Sequence, residues 1–206
     1  MAQKVLNKKV IVYIHGMHGN AEEANNYKFL NDYDVIGLDY GDGYPWDVGQ
    51  AVRKQFIEVI KPYDEVVVIA NSIGCLYSYE CLFDLPINHA FFISPVASMF
   101  EIMNNMMNAY GISEEMLKDK KHIKLENGTL LSYEYYKYFR HYKDNWKVPT
   151  DILYGSNDPM ISLDSVINFV KNHPLSSLTI KEGAKHHFHT DEEIQYIKDW
   201  VDSKIR

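Results

Sequence analysis

Val66-Val67-Val68-Ile69-Ala70-Asn71-Ser72-Ile73-Gly74 is an apolar, β-branched run that stops at a small-polar-nucleophile-x-Gly turn. Valine and isoleucine at consecutive positions suit a strand covered on both faces. The stretch from Ile73 to Phe83 has no glycine after Gly74 and reads as a helix. A strand that turns directly into a helix must bend sharply, so small residues are expected beside the serine, here Ala70 and Gly74. Such a turn lifts Ser72 to the carboxyl edge of a sheet, with the following N–H free to meet an anion. Taken alone, Asn71-Ser72 could equally cap the helix that follows, so the remaining chain has to decide between a nucleophile and a cap.

Working outward, Lys9 to Ile14 is a second buried strand that delivers His15-Gly16-Met17-His18-Gly19-Asn20, followed by a helix over Ala21 to Leu30. Asp34 to Tyr40 reads as a strand, Trp46 to Ile60 as a helix and His89 to Ser94 as a strand. After Pro149 the rhythm returns: strand to Gly155, helix from Leu163 to Lys171, strand from Ser177 to Lys181, helix from Thr190 to Ser203. This alternation predicts an α/β fold, a mostly parallel six-stranded sheet with helices on both faces and right-handed crossovers. Between about residues 96 and 147 no convincing strand is found. That segment carries the methionine run Ser98 to Met107, a hairpin turn at Glu126-Asn127-Gly128 and the aromatic run Tyr133 to Phe139, and it reads as a helical cap inserted into one domain spanning 1–206.

Composition removes several classes of function. With 206 residues the chain can bury about 70% of its unfolded surface without staples. A net charge of −7 with no basic stripe argues against binding nucleic acid. No apolar run approaches bilayer length, which predicts no membrane insertion. The start, Met1 to Lys9, is too short and polar for a signal peptide, so a cytoplasmic location is expected. Cys75 and Cys81 share one predicted helix and read as small core residues, not a bridge.

In a parallel sheet the loops after the strands converge on one edge, where ligands bind. Those loops bring His15-Gly16-Met17, Ser72, Gly155-Ser156-Asn157-Asp158-Pro159 and Gly183-Ala184-Lys185-His186-His187-Phe188. The sequence here resembles the α/β-hydrolase superfamily along essentially its whole length. The likeness rests on His15-Gly16, on Asn71-Ser72-Ile73-Gly74, on Tyr154-Gly155-x-x-Asp158 and on Gly183-Ala184-x-His186-x-Phe188, in that order at strand ends; the departure is Ala70 at the first glycine of G-x-S-x-G. The closest likeness is to small bacterial serine hydrolases of unassigned substrate. The resemblance implies a reduced fold, without the usual opening antiparallel hairpin, and a Ser-Asp-His triad.

Acyl transfer explains the roles. Ser72 needs a base to take its proton, His186; Asp158 fixes the other imidazole nitrogen; the backbone N–H groups of Met17 and Ile73 receive the developing oxyanion. His187 and His189 compete for the part of base, and His186, His187, His189 and Asp191 could be a metal site, although they lack ligand spacing on a helix. Neither metal nor cofactor is implied. His18, Met99, Met103 and Met106 are expected to line the substrate pocket, with Met99, Phe100, Met103, Met106 and Met107 forming an apolar helix face over Ser72 unless Tyr135, Tyr136 and Phe139 fill it. The expected function is hydrolysis of a small carboxylic ester or thioester through an acyl-enzyme. An acyltransferase or amidase with the same triad, or a non-catalytic binding protein on the same fold, are the alternatives. The sequence leaves the oligomeric state open.

Overall fold

The computed structural model describes residues 7–205; the expectation about a signal peptide falls largely on residues 1–6, outside that range. The strands are β1 (Lys9–Ile14), β2 (Asp34–Gly37), β3 (Glu65–Asn71), β4 (His89–Ile93), β5 (His122–Lys124), β6 (Leu130–Ser132), β7 (Thr150–Gly155) and β8 (Ser176–Lys181). Six of them form one sheet in the order β2-β1-β3-β4-β7-β8, and every pairing within it is parallel.

Period-two alternation sends each central strand's side chains to two separate cores. Val10, Val12, Ile14, Val66, Val68, Ala70, Phe92 and Ile152 face helices α1 (Pro45–Ile60), α2 (Ile73–Cys81) and, further on, α6 (Leu163–Asn172). Ile11, Tyr13, Val67, Ile69, Phe91, Ile93 and Leu153 face a 3-10 helix, Ala21–Tyr27, and the last helix α7 (Asp191–Lys204). Both faces are thus covered, which is why these strands read as continuous apolar runs and not as alternating ones.

Two elements are shorter than their sequences suggest. Ala21–Tyr27 is a 3-10 helix and not an α-helix reaching Leu30. Asn20 and Glu23 close a capping box over it, and its Ala21 carbonyl presses so closely on Gly37 that a Cβ there would lie 2.0 Å from it. The strand expected to reach Tyr40 ends at Gly37, leaving Tyr40 in the following loop.

The segment between β4 and β7 holds α3 (Met99–Ala109), α4 (Glu114–Lys120), α5 (Tyr133–His141) and the antiparallel hairpin β5–β6. The hairpin closes at the turn expected at Glu126-Asn127-Gly128 and supplies two three-residue strands where no convincing strand was expected, and α4 adds a helix to the two expected from the methionine and aromatic runs. Gly128, at φ 88°, supplies the left-handed turn conformation, and Asn127 Oδ1 accepts from the Thr129 N–H at 3.0 Å. Met103, Met107, Leu117, Leu125, Leu131 and Tyr136 form a core belonging to this insertion itself.

Candidate active site

The chain runs from β1 outward to β2, then returns to β3 and proceeds the other way, so the strand order reverses between β1 and β3. The loops leaving those two strands flank the crevice where such sheets bind ligands. One is His15-Gly16-Met17; the other is Ser72.

Ser72 adopts φ 53° and ψ −117° and makes no side-chain cap on α2, which removes the capping reading. A left-handed serine costs on the order of 1–3 kcal/mol and persists only where its surroundings impose it. Here its N–H donates to the Ile93 carbonyl at 2.9 Å, and its own carbonyl accepts from Cys75 at 3.1 Å and Val96 at 3.2 Å. The hydroxyl is left free to face His186, with Oγ 2.9 Å from Nε2.

Asp158 and His186 arrive on loops that are stitched together. Ser156 N–H donates to the Lys181 carbonyl, Asn157 N–H to the Ala184 carbonyl, and Gly183 N–H to Ser156 Oγ. Gly155 admits this closeness, since a Cβ there would lie 2.5 Å from the Ala184 oxygen. Asp158 Oδ2 lies 2.7 Å from His186 Nδ1, while Oδ1 accepts from the N–H groups of Met160 at 2.8 Å and Ile161 at 3.0 Å. The Asp158 and His186 side chains are 0% and 2% exposed. Burial raises the Asp158 carboxyl, but the His186 hydrogen bond and the two backbone donors outweigh it and hold it below the usual carboxylate range. Because a carboxylate only accepts, Nδ1 carries the proton and Nε2 is free to accept from Ser72.

His187 and His189 are exposed; His189 turns its Nδ1 to the His187 carbonyl. No group of three metal-ligating side chains occurs among the described residues. Among the same residues, no helix is long and apolar enough to cross a membrane.

The loop after β1 is a tight turn: Gly19 N–H donates to the Gly16 carbonyl at 3.1 Å, with His18 at φ 61°. It packs on the turn at Ser72 closely enough that a Cβ at Gly16 would lie 3.3 Å from Ser72 Cβ. Ile73 begins α2, so its N–H is among those a helix leaves without an internal partner. Met17 is 58% exposed. The exposed ring of His18 lies 3.4 Å from Asp42.

The methionine face divides. Met103 is 4% exposed within the insertion's own core, so the structure places it in packing and not on an open pocket wall. Met106 borders that same core, whereas Met99, Phe100 and Tyr135 touch both it and the main core. Sequence reasoning missed Tyr40 and Glu80. Tyr40 stacks on His15, ring centroids 4.0 Å apart, and its hydroxyl donates to the His15 carbonyl. Glu80 is a 6% exposed carboxyl on α2; a glutamate inside an otherwise apolar helix face was the available signal.

The chain has the α/β-hydrolase fold. It is similar to Est1E from Butyrivibrio proteoclasticus, at TM-score 0.74 and 17% identity over 98% of this chain and 90% of that one. The likeness extends to Est1E with ferulic acid bound, at TM-score 0.72, 17% identity and 98% and 91% coverage. Mouse alpha/beta hydrolase domain-containing protein 10 is similar at TM-score 0.70 and 14% identity, over 95% and 88% of the two chains. No protein-family model matches the chain, and no curated protein matches it in sequence. At such identities the likeness speaks for the fold, and the chemistry has to be argued from the side chains.

Proposed function

We propose that this protein is a serine hydrolase that cleaves a small carboxylic ester or thioester through an acyl-enzyme. The observation that carries this reading is the unbroken line from Ser72 Oγ to His186 Nε2, 2.9 Å, and from His186 Nδ1 to Asp158 Oδ2, 2.7 Å.

In the proposed reaction His186 takes the Ser72 proton as Oγ attacks the acyl carbon, and Asp158 stabilises the imidazolium that results. The N–H groups of Met17 and Ile73 receive the oxyanion. His186 then passes its proton to the departing alcohol or thiol, and water, activated by the same imidazole, attacks the acyl-enzyme and releases the acid. The acyl group would lie toward the seam where Met99, Phe100 and Tyr135 meet the main core. An acyltransferase would use the same first half-reaction with another acceptor in place of water.

A fluorophosphonate probe tests the reading. Labelling of the wild type but not of Ser72→Ala is expected, followed by turnover of p-nitrophenyl or thioester substrates, among which a feruloyl ester is worth including because Est1E binds ferulic acid. Folded protein that resists the probe would instead favour a non-catalytic binding protein.

A further inference from the structure

We infer that Tyr40 is the positioning residue of the oxyanion loop, holding the peptide plane that carries the Met17 N–H at a fixed place relative to α2. The inference rests on the serine-hydrolase reading above and adds a residue outside the triad and its two backbone donors.

The argument follows one chain of contacts. The Gly16 carbonyl accepts from the Gly19 N–H at 3.1 Å and lies 2.8 Å from His15 Nδ1. A carbonyl oxygen only accepts, so Nδ1 bears the proton. The carbonyl and the N–H of one trans peptide point in opposite directions. Two donors holding the Gly16 oxygen therefore aim the Met17 N–H the other way, and the direction depends on where the His15 ring stands.

Tyr40 sets that ring. The two rings are parallel within 8° at 4.0 Å, and the Tyr40 hydroxyl donates to the carbonyl of the same histidine. His15 Nε2 is buried with no hydrogen-bond partner among the described residues, so among the contacts these residues make, the stack and the carbonyl bond hold the histidine. Tyr40 also meets Tyr77 in a T-shaped contact, at 5.8 Å and 89°. Tyr77 belongs to α2, one turn after Ile73, the proposed second donor. Tyr40 therefore touches both of the bodies that supply the two proposed N–H donors. Burial pushes its phenol far up, so it stays a donor throughout the working pH range.

Tyr40→Phe removes the hydroxyl and keeps the stack; Tyr40→Leu removes both. Misplacing one donor should lower kcat roughly 10-fold in the first variant and roughly 100-fold in the second, with KM changed less than about 2-fold. Affinity for a trifluoromethyl ketone, whose adduct carries the oxyanion, should fall by the same factors as kcat. His15→Phe leaves Tyr40 in place, keeps a stacked ring and loses the bond to Gly16; the same kcat-selective loss is expected. Circular dichroism checks that each variant is folded. Wild-type kcat and ketone affinity in folded Tyr40→Phe, or a loss confined to KM, would overturn the assignment. If the wild type itself neither turns over nor reacts with fluorophosphonate, the hydrolase reading fails and takes this inference with it. Active wild type with an equally active Tyr40→Phe removes the inference alone.

Discussion

Gly74 and Ile14 meet so closely that a Cβ on Gly74 would lie 2.3 Å from the Ile14 carbonyl oxygen and 2.5 Å from that of His15. The glycine that follows Ser72 by two residues is thus where α2 rests on the end of β1, and it draws the loop that carries Met17 against the turn at Ser72. Gly74→Ala must force these backbones apart. It is expected to cost about 1–3 kcal/mol of stability and to reduce turnover at least 10-fold, because the loop carrying Met17 moves. Urea denaturation and steady-state kinetics read the two effects; wild-type values in both would show that the turn yields freely.

Ser72→Ala and His186→Ala should each abolish turnover without unfolding the protein, and the double variant should be no slower than either, since the two groups act as one unit. A double variant slower by a further large factor would mean that each contributes separately.

Asp158→Asn should retain part of the activity, falling roughly 10³- to 10⁴-fold in kcat. Its Oδ1 can still accept from Met160 and Ile161, so the loop persists while the bond to His186 changes. The Asp158 carboxyl is held below its ordinary value in the folded state, so its stabilisation is present above that ordinary value and is lost as pH falls through the folded one. The variant should therefore lack this part of the acid-induced loss, as melting curves from neutral to acid pH would reveal. Full activity in Asp158→Asn would require another carboxylate behind His186.

Glu80 should make stability depend on pH in the opposite sense. It is faced by Tyr77, Tyr79 and Cys81 from its own helix and by Tyr135, Tyr138 and Tyr142 from α5 and its end. The Tyr138 hydroxyl approaches it without reaching good hydrogen-bond geometry. Burial pushes the carboxyl up to about 7, from 4.5 in an ordinary setting. The folded chain therefore keeps a proton that the unfolded chain releases: the benefit is complete below 4.5 and disappears as pH rises to about 7. Glu80→Gln should raise stability at pH 8 by up to about 3 kcal/mol and change little at pH 4.5. Denaturant titrations at the two pH values decide; equal stability at pH 8 would mean that the ionised carboxylate finds compensation.

Met103→Ala should destabilise the insertion by about 2–5 kcal/mol, the cost of emptying a buried site, and leave the ratio of hexanoyl to acetyl ester hydrolysis unchanged. Met99→Ala, at the seam between the two cores, is expected to change that ratio. A shift in chain-length preference on Met103→Ala would restore it to the pocket wall.

Much of the fold lay open in the sequence because its signals are local. Five apolar residues ahead of Asn71, Val66 to Ala70, mark a strand covered on both sides, and Ser72 between Ala70 and Gly74 marks a turn that only small neighbours permit. Alternation of such strands with helices dictates a parallel sheet, and a parallel sheet puts Ser72, Asp158 and His186 on one edge whatever the details. The hairpin β5–β6 was legible only as its turn, Glu126-Asn127-Gly128, because strands of three residues are too short to show a period.

What the tertiary structure decided is everything that depends on distance across the chain. The sequence places His186, His187 and His189 within one loop; only the seating of that loop against Gly155 and Asn157 turns His186 inward and leaves the other two exposed. The stripe from Met99 to Met107 specifies an apolar helix face without saying what covers it, and the hairpin and α4 supply Leu117, Leu125 and Leu131 to do so. Tyr40 carries no local pattern, and Glu80 shows only as a glutamate within an otherwise apolar helix face. Their surroundings come from Tyr77, His15 and α5, brought together by packing between segments far apart in sequence, and periodicity, which reports only on near neighbours, has no access to them.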